Sequence, residues 1–175
     1  MFDLSAELLR KRVDRIQEAQ YRCEDAENLN SLGWAELLAR QTILSNVSTL
    51  GIGTSDLPDP QKYFEHALQI SEDRDICPEQ TAEDINSLIN LALLALSKDQ
   101  PSAAKVYLAQ AAVKRTDKVI YQMWLELIRA QLAQSDNDPK RAIKHYEQLQ
   151  FQSEKSTDRY LYCCLLYTSP SPRDS

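Results

Sequence analysis

The sequence of 175 residues predicts an all-α fold of about seven helices, and three observations carry that prediction. Apolar residues recur at intervals of three and four along nearly the whole chain, while the period-two alternation that marks strands is hardly seen. Only three glycines are present, Gly33, Gly51 and Gly53, too few to punctuate an all-β or α/β domain. Three pairs, Asp59-Pro60, Gln100-Pro101 and Asp138-Pro139, have the form of helix starts. Proline suits a first helical turn because its missing N–H would have no partner there, and an Asp before it can accept from the free amides.

The first helix, about residues 4–28, sets Leu9, Val13, Ile16 and Cys23 near one face. Its Arg10-Lys11-Arg12 run and Arg15 are answered at i,i+4 by the pairs Glu7 with Lys11, Arg10 with Asp14 and Glu18 with Arg22. That pattern describes a solvated, salt-bridged face and not a nucleic-acid surface. The second helix, about 31–48, carries Trp34, Leu37, Leu38 and Leu44. Gly51-Ile52-Gly53-Thr54 in the loop that follows lacks the spacing and the lysine of a phosphate-binding loop and follows a helix instead of a strand.

The three proline starts lie 41 and 38 residues apart. Counted from each proline, the third, seventh and tenth residues are Tyr63, Ala67 and Ile70, then Ala104, Leu108 and Ala111, then Ala142, Tyr146 and Leu149. These steps put each trio on one helical stripe. The helices between, residues 85–96 and 119–133, are apolar almost all round, the first behind a capping pattern of Thr81 with Asp84. A helix of that kind needs neighbours on every side. Alternation with amphipathic helices gives stacked antiparallel hairpins, about 31–72, 79–115 and 118–152, the arrangement of an α-solenoid. A closed helical bundle is the competing architecture, disfavoured by the spacing of the starts.

The charge balance, 20 Lys and Arg against 26 Asp and Glu for a net −6, argues against nucleic acid or an anionic membrane as partner. No basic n-region and apolar h-region open the chain, and the longest apolar stretch, Leu88 to Leu96, falls short of the roughly 18 residues a span requires. The expectation is a cytoplasmic or nuclear protein that is not secreted. Residues 164–175 resemble a translated sequencing-adapter read-through, the alternative being a disordered Ser/Pro tail, so the folded domain is placed at 1–163 and the native protein is expected to be longer. Without Cys164, three cysteines remain, Cys23, Cys77 and Cys163, with no C-x-x-C pair among them. They are expected to be reduced thiols, with Cys23 a small core residue.

Residues 85–118 resemble the tetratricopeptide repeat, a helix–turn–helix unit of about 34 residues. Leu88, Leu91, Ala92 and Ala95 stand where the family has the W, L, G and Y of its first helix. Ala104, Leu108 and Ala111 stand at the A, F and A of the second, and Thr116 replaces the closing proline. Residues 122–155 match through Leu125, Ile128, Leu132, Ala142, Tyr146 and Leu149 if the turn is one residue longer, with Arg129 at the small-residue position. Residues 31–72 retain Trp34 and Leu37 but carry an insertion of roughly a dozen residues relative to the family. Ser156-Thr157-Asp158 before Arg159-Tyr160-Leu161-Tyr162 would open a further repeat.

The resemblance implies a scaffold that binds a peptide or partner helix in a concave groove, with Asn86, Ile89, Leu93 and Leu96 at the groove positions of the best repeat. Ile89 and Leu93 do not supply the Lys and Asn clamp by which chaperone-binding members hold a carboxylate, and the same side chains read equally well as core. No cofactor, metal or catalytic constellation is expected. His66 and His145 stand singly without ligand spacing, and no Ser–His or Cys–His pairing can be argued. The other functional class is a docking domain of an enzyme whose catalytic part lies beyond Cys163. An array cut near Cys163 would leave apolar surface open and self-associate.

Overall fold

The computed structural model describes residues 21–46, 59–78, 82–114, 116 and 118–155. Its helices are α1 (Asp25–Asn46), α2 (Pro60–Glu72), α3 (Glu83–Ser97), α4 (Pro101–Val113), α5 (Val119–Ser135) and α6 (Pro139–Lys155). No strand occurs among the described residues, so the fold is all-α. The residues up to 20 of the first helix, expected over about 4–28, lie outside the described residues, as do Gly51, Gly53, Thr81 and the tail 164–175. The chain divides into two compact units, Met1–Leu94 and Ala95–Ser175, the division falling in the last turn of α3.

In the first unit the expected break at 28–31 is absent. Residues 21–24 are non-helical, and α1 runs without interruption from Asp25. Asp25 sets the start: its Oδ2 accepts from the Arg22 N–H at 2.8 Å, the back-reaching half of a capping box. Asn30, at the expected break, is 2% exposed and directs its amide across to α3 instead of capping a helix. Its Nδ2 donates to Ser87 Oγ at 3.0 Å and to Glu83 Oε2 at 3.1 Å. Its Oδ1 accepts from Asn90 Nδ2 at 3.0 Å, and Asn90 Oδ1 accepts from Trp34 Nε1 at 2.8 Å. A buried amide is tolerated when its donors and acceptor are answered in this way.

Helix α2 starts as its sequence predicts, with the Asp59 side chain accepting from the Gln61 N–H and Pro60 in the first turn. It packs on α1. Ala26, Leu29 and Leu32 meet Ala67, Ile70 and Cys77, flanked by Tyr21, Tyr63 and Ile76. Here the expectation of reduced thiols is corrected: Cys23 and Cys77, 54 residues apart, form a disulfide with Cα atoms 5.0 Å apart. Cys23 precedes α1 and Cys77 follows α2, so the antiparallel return of α2 brings the two together. The bond clasps the hairpin at the end opposite its long connection, a pairing that spacing along the chain does not reveal.

Gly33 is the closest approach of the pair. A Cβ there would lie under 3.0 Å from three carbons of the Phe64 ring, which is fully buried and meets Trp34 edge-on. Glycine inside a helix is therefore a packing requirement at this position.

In the second unit two connections share one geometry. Asp99 and Asn137 hold positive φ, 55° and 56°. After α3, the Gln100 N–H donates to Ala95 O at 2.9 Å and the Asp99 N–H to Leu96 O at 3.0 Å. After α5, the Asp138 N–H donates to Ala133 O at 2.9 Å and the Asn137 N–H to Gln134 O at 3.0 Å. Both are Schellman motifs, which end a helix by satisfying its last carbonyls, and each is followed by the proline that opens the next helix. The expected stripes face inward: Ala67, Ile70, Ala104, Ala111, Ala142 and Leu149 are buried, and Tyr63, Leu108 and Tyr146 half-buried. Helix α5 packs on both α4 and α6, with Met123 and Leu149 enclosed by Ile120, Trp124, Leu127 and Tyr146.

Two outcomes test the first unit. Gly33→Ala would stabilise an open helix by up to about 1 kcal/mol, but overpacking against Phe64 reverses the sign, and a net loss of roughly 1–2 kcal/mol is expected in urea unfolding. Adding a phosphine reductant, or replacing Cys23 and Cys77 by serine, is expected to remove about 2–4 kcal/mol, read as a lower thermal midpoint. An unchanged midpoint would mean that the two sulfurs do not clasp the hairpin.

Candidate binding cleft

Helix α4 is an unusual surface element. Its sequence, PSAAKVYLAQAAV, is apolar on nearly every side, yet only Ala104 and Ala111 are buried. Val106 is 55% and Val113 79% exposed, seven residues apart on one face with the exposed Ala109 between them. Val119 at the start of α5 and Ile143 and Phe151 on α6 also lie open. An amphipathic surface helix turns such residues inward and shows polar ones to water.

Beside that face a cleft opens between α4 and α5. One part, about 410 Å³, is floored by Leu108, Ala109 and Ala112 of α4 with Leu132 and Ala133 of α5, and rimmed by Lys105, Asp136 and Arg141. The small side chains of its floor leave room between two helices that otherwise pack. Lys105 Nζ donates to Asp136 Oδ1 at 2.8 Å across its mouth, a pair with both side chains well exposed and hence of small energetic weight. At Ala112 and Arg129 this part meets a second, of about 780 Å³, whose lining adds Lys114, Thr116, Gln122, Leu125, Glu126 and Gln152.

The second part is more polar than the first. Glu126 lies on the inner side of α5, its side chain 8% exposed, and its carboxylate is shared between Arg129 one turn on and His145 of α6. His145 Nδ1 stands 2.8 Å from Oε2. A carboxylate only accepts, so Nδ1 carries the proton and donates. The carboxylate thus fixes an arginine at the junction of the two parts. Gln152 Oε1, also in the lining, is buried without a hydrogen-bond partner. The Thr116 side chain accepts from the Lys118 N–H at 3.1 Å ahead of α5. Near this wall, burial holds the Tyr146 phenol above its ordinary pKa, so it remains a neutral donor to Gln134 at 3.1 Å.

Of the groove positions named from the sequence, Asn86, Ile89 and Leu93 belong to the first unit and Leu96 to the second. Ile89 is 2% exposed, while Asn86, Leu93 and Leu96 are half-buried. The Asn86 amide donates to Glu83 Oε2 at 3.0 Å. Sequence reasoning did not assemble the α4–α5 cleft. Its one visible signal was Arg129, which occupies a position where the tetratricopeptide pattern has a small residue. His66 is half-buried and meets the Tyr21 ring edge-on at 4.8 Å. Among the described residues no group of three His, Cys, Asp or Glu side chains is placed to hold a metal ion.

Compared with protein-family models, with curated proteins and with solved structures, the chain matches none.

Replacing Glu126 by alanine strips Arg129 and His145 of their common acceptor. A loss of about 1–3 kcal/mol is expected in chemical unfolding, with Glu126→Gln, which keeps an acceptor oxygen, losing less. Equal losses for the two variants would show that packing volume and not the shared carboxylate matters there.

Proposed function

We propose that this chain is a protein-interaction module, a tetratricopeptide-like α-solenoid segment that holds a peptide or helix of a partner and performs no chemistry itself. The observation that carries this reading is the apolar face of α4, Val106, Ala109 and Val113, exposed beside an adjoining cleft floored by small apolar side chains. An exposed apolar patch next to a concavity is the surface that a protein partner covers. The like geometry of the two connections, with Ala95 and Pro101 matching Ala133 and Pro139, supports a hairpin-repeat origin.

We place the module in the cytoplasm or nucleus. No described helix is long and apolar enough to cross a membrane. The Cys23–Cys77 bond pulls against that placement, since cytosolic thiols are kept reduced. Trapping thiols by alkylation in intact cells decides it: a Cys23–Cys77 bond that stays closed to the reagent inside the cytosol or nucleus would overturn the placement.

A displayed library of helical peptides, selected on the full chain and counter-selected on Val106→Glu/Val113→Glu, tests the binding reading. Enrichment of peptides with apolar residues at i, i+3 or i+4, and i+7 that the variant fails to hold is the expected result. Selection yielding no peptide that distinguishes the chain from a correctly folded variant would overturn it.

A further inference from the structure

We infer that the occupant of the α4–α5 cleft is an acidic amphipathic helix of a partner protein, an assignment that rests on the interaction reading above and deepens it. Three features of the cleft carry the argument. Among the described residues its walls bear four cations, Lys105, Lys114, Arg129 and Arg141, against two carboxylates, Glu126 and Asp136. This local excess of positive charge stands in a chain of net charge −6. Such a patch, against the sign of the whole protein, selects a partner segment of negative charge and sets its orientation.

The walls are also helical. Along α4 and α5 the main-chain groups bond within their own helices, so these two walls offer no row of free N–H and C=O groups with which an extended strand would pair. An occupant that satisfies its own backbone fits such a site. A helix meets that demand and presents only side chains, as in helix-in-groove recognition. The apolar contribution comes from Leu108, Ala109, Ala112, Leu132 and Ala133 on the floor, with Val113 and Val106 continuing the surface over the lip of α4.

The polar end then has an assigned use. Arg129 is held by Glu126 with its own side chain still 32% exposed, so it reaches the cleft already ordered.

The test uses fluorescence anisotropy of the full chain with three labelled peptides of about 18 residues, long enough for five turns. One is a helix with leucine on one stripe and glutamate elsewhere, one has lysine for each glutamate, and one is the glutamate peptide broken by two prolines. Binding of the glutamate helix roughly tenfold or more tighter than either control is expected, weakening as salt is raised. Lys114→Glu/Arg141→Glu should reverse the preference between glutamate and lysine helices. The exposed Arg141→Glu alone carries the test if the double variant loses its helical circular dichroism. Equal binding of glutamate and lysine helices overturns the acidic assignment while leaving the interaction module standing. Equal binding of the proline-broken peptide overturns the helical one. A dimer in sedimentation that Val106→Glu/Val113→Glu dissociates, with no peptide bound, would make a second copy the occupant and overturn both.

Discussion

The first unit depends on one buried amide. Asn30 lies in the second turn of α1, buried in a stretch that also buries Ala26, Leu29 and Leu32, where an apolar residue would have served packing alone. Its amide instead meets Ser87, Glu83 and Asn90 of α3, and Asn90 is in turn fixed by the Trp34 indole. Sliding α1 along α3 by a turn would leave several of these groups buried and unanswered, each at a cost of about 1–3 kcal/mol. Apolar surfaces tolerate several registers, and a satisfied polar chain does not. With α1 held against α3, Gly33 receives Phe64 from α2, and Cys23 is left beside Cys77.

The second unit uses a different device. Its order comes from local turns: a left-handed residue closes each of α3 and α5, and a proline opens the helix that follows. These motifs determine where helices stop and start without reference to distant residues. They leave the helix faces free to vary. Helix α4 takes that freedom furthest, fully burying only two alanines, and small buried residues beside large exposed ones are the reverse of what a self-sufficient surface helix presents.

This contrast explains what was legible in the sequence. Asp59-Pro60, Gln100-Pro101 and Asp138-Pro139 gave the starts of three helices to the residue, because a first-turn proline, joined at Asp59 and Asp138 by a side-chain cap, acts among neighbours. The inward stripes from Tyr63 to Leu149 were equally readable from helical periodicity. The continuity of α1 through Asn30 was not, since its polar side chain is answered by residues more than fifty positions away. The Cys23–Cys77 bond escaped for the same reason. As for the cleft, Arg129 showed as a departure from the family pattern, but the partners that give it meaning, Glu126 beside it and His145 on the next helix, become visible only once α5 and α6 are packed together.

Glu126 shows what a buried carboxylate can add beside a cleft. Removing such a charge from water is costly, and an apolar residue of similar size would often stabilise the packing of α5 on α6 at least as well. What the carboxylate adds is geometry: with His145 donating to one oxygen and Arg129 to the other, the guanidinium stands at the junction of the two parts of the cleft before any ligand arrives. A long side chain ordered in advance loses less rotamer freedom on binding than one that must be gathered from solvent. On the proposed interaction reading the ion pair would serve recognition more than folding, since Arg129 stands where the two parts of the cleft meet.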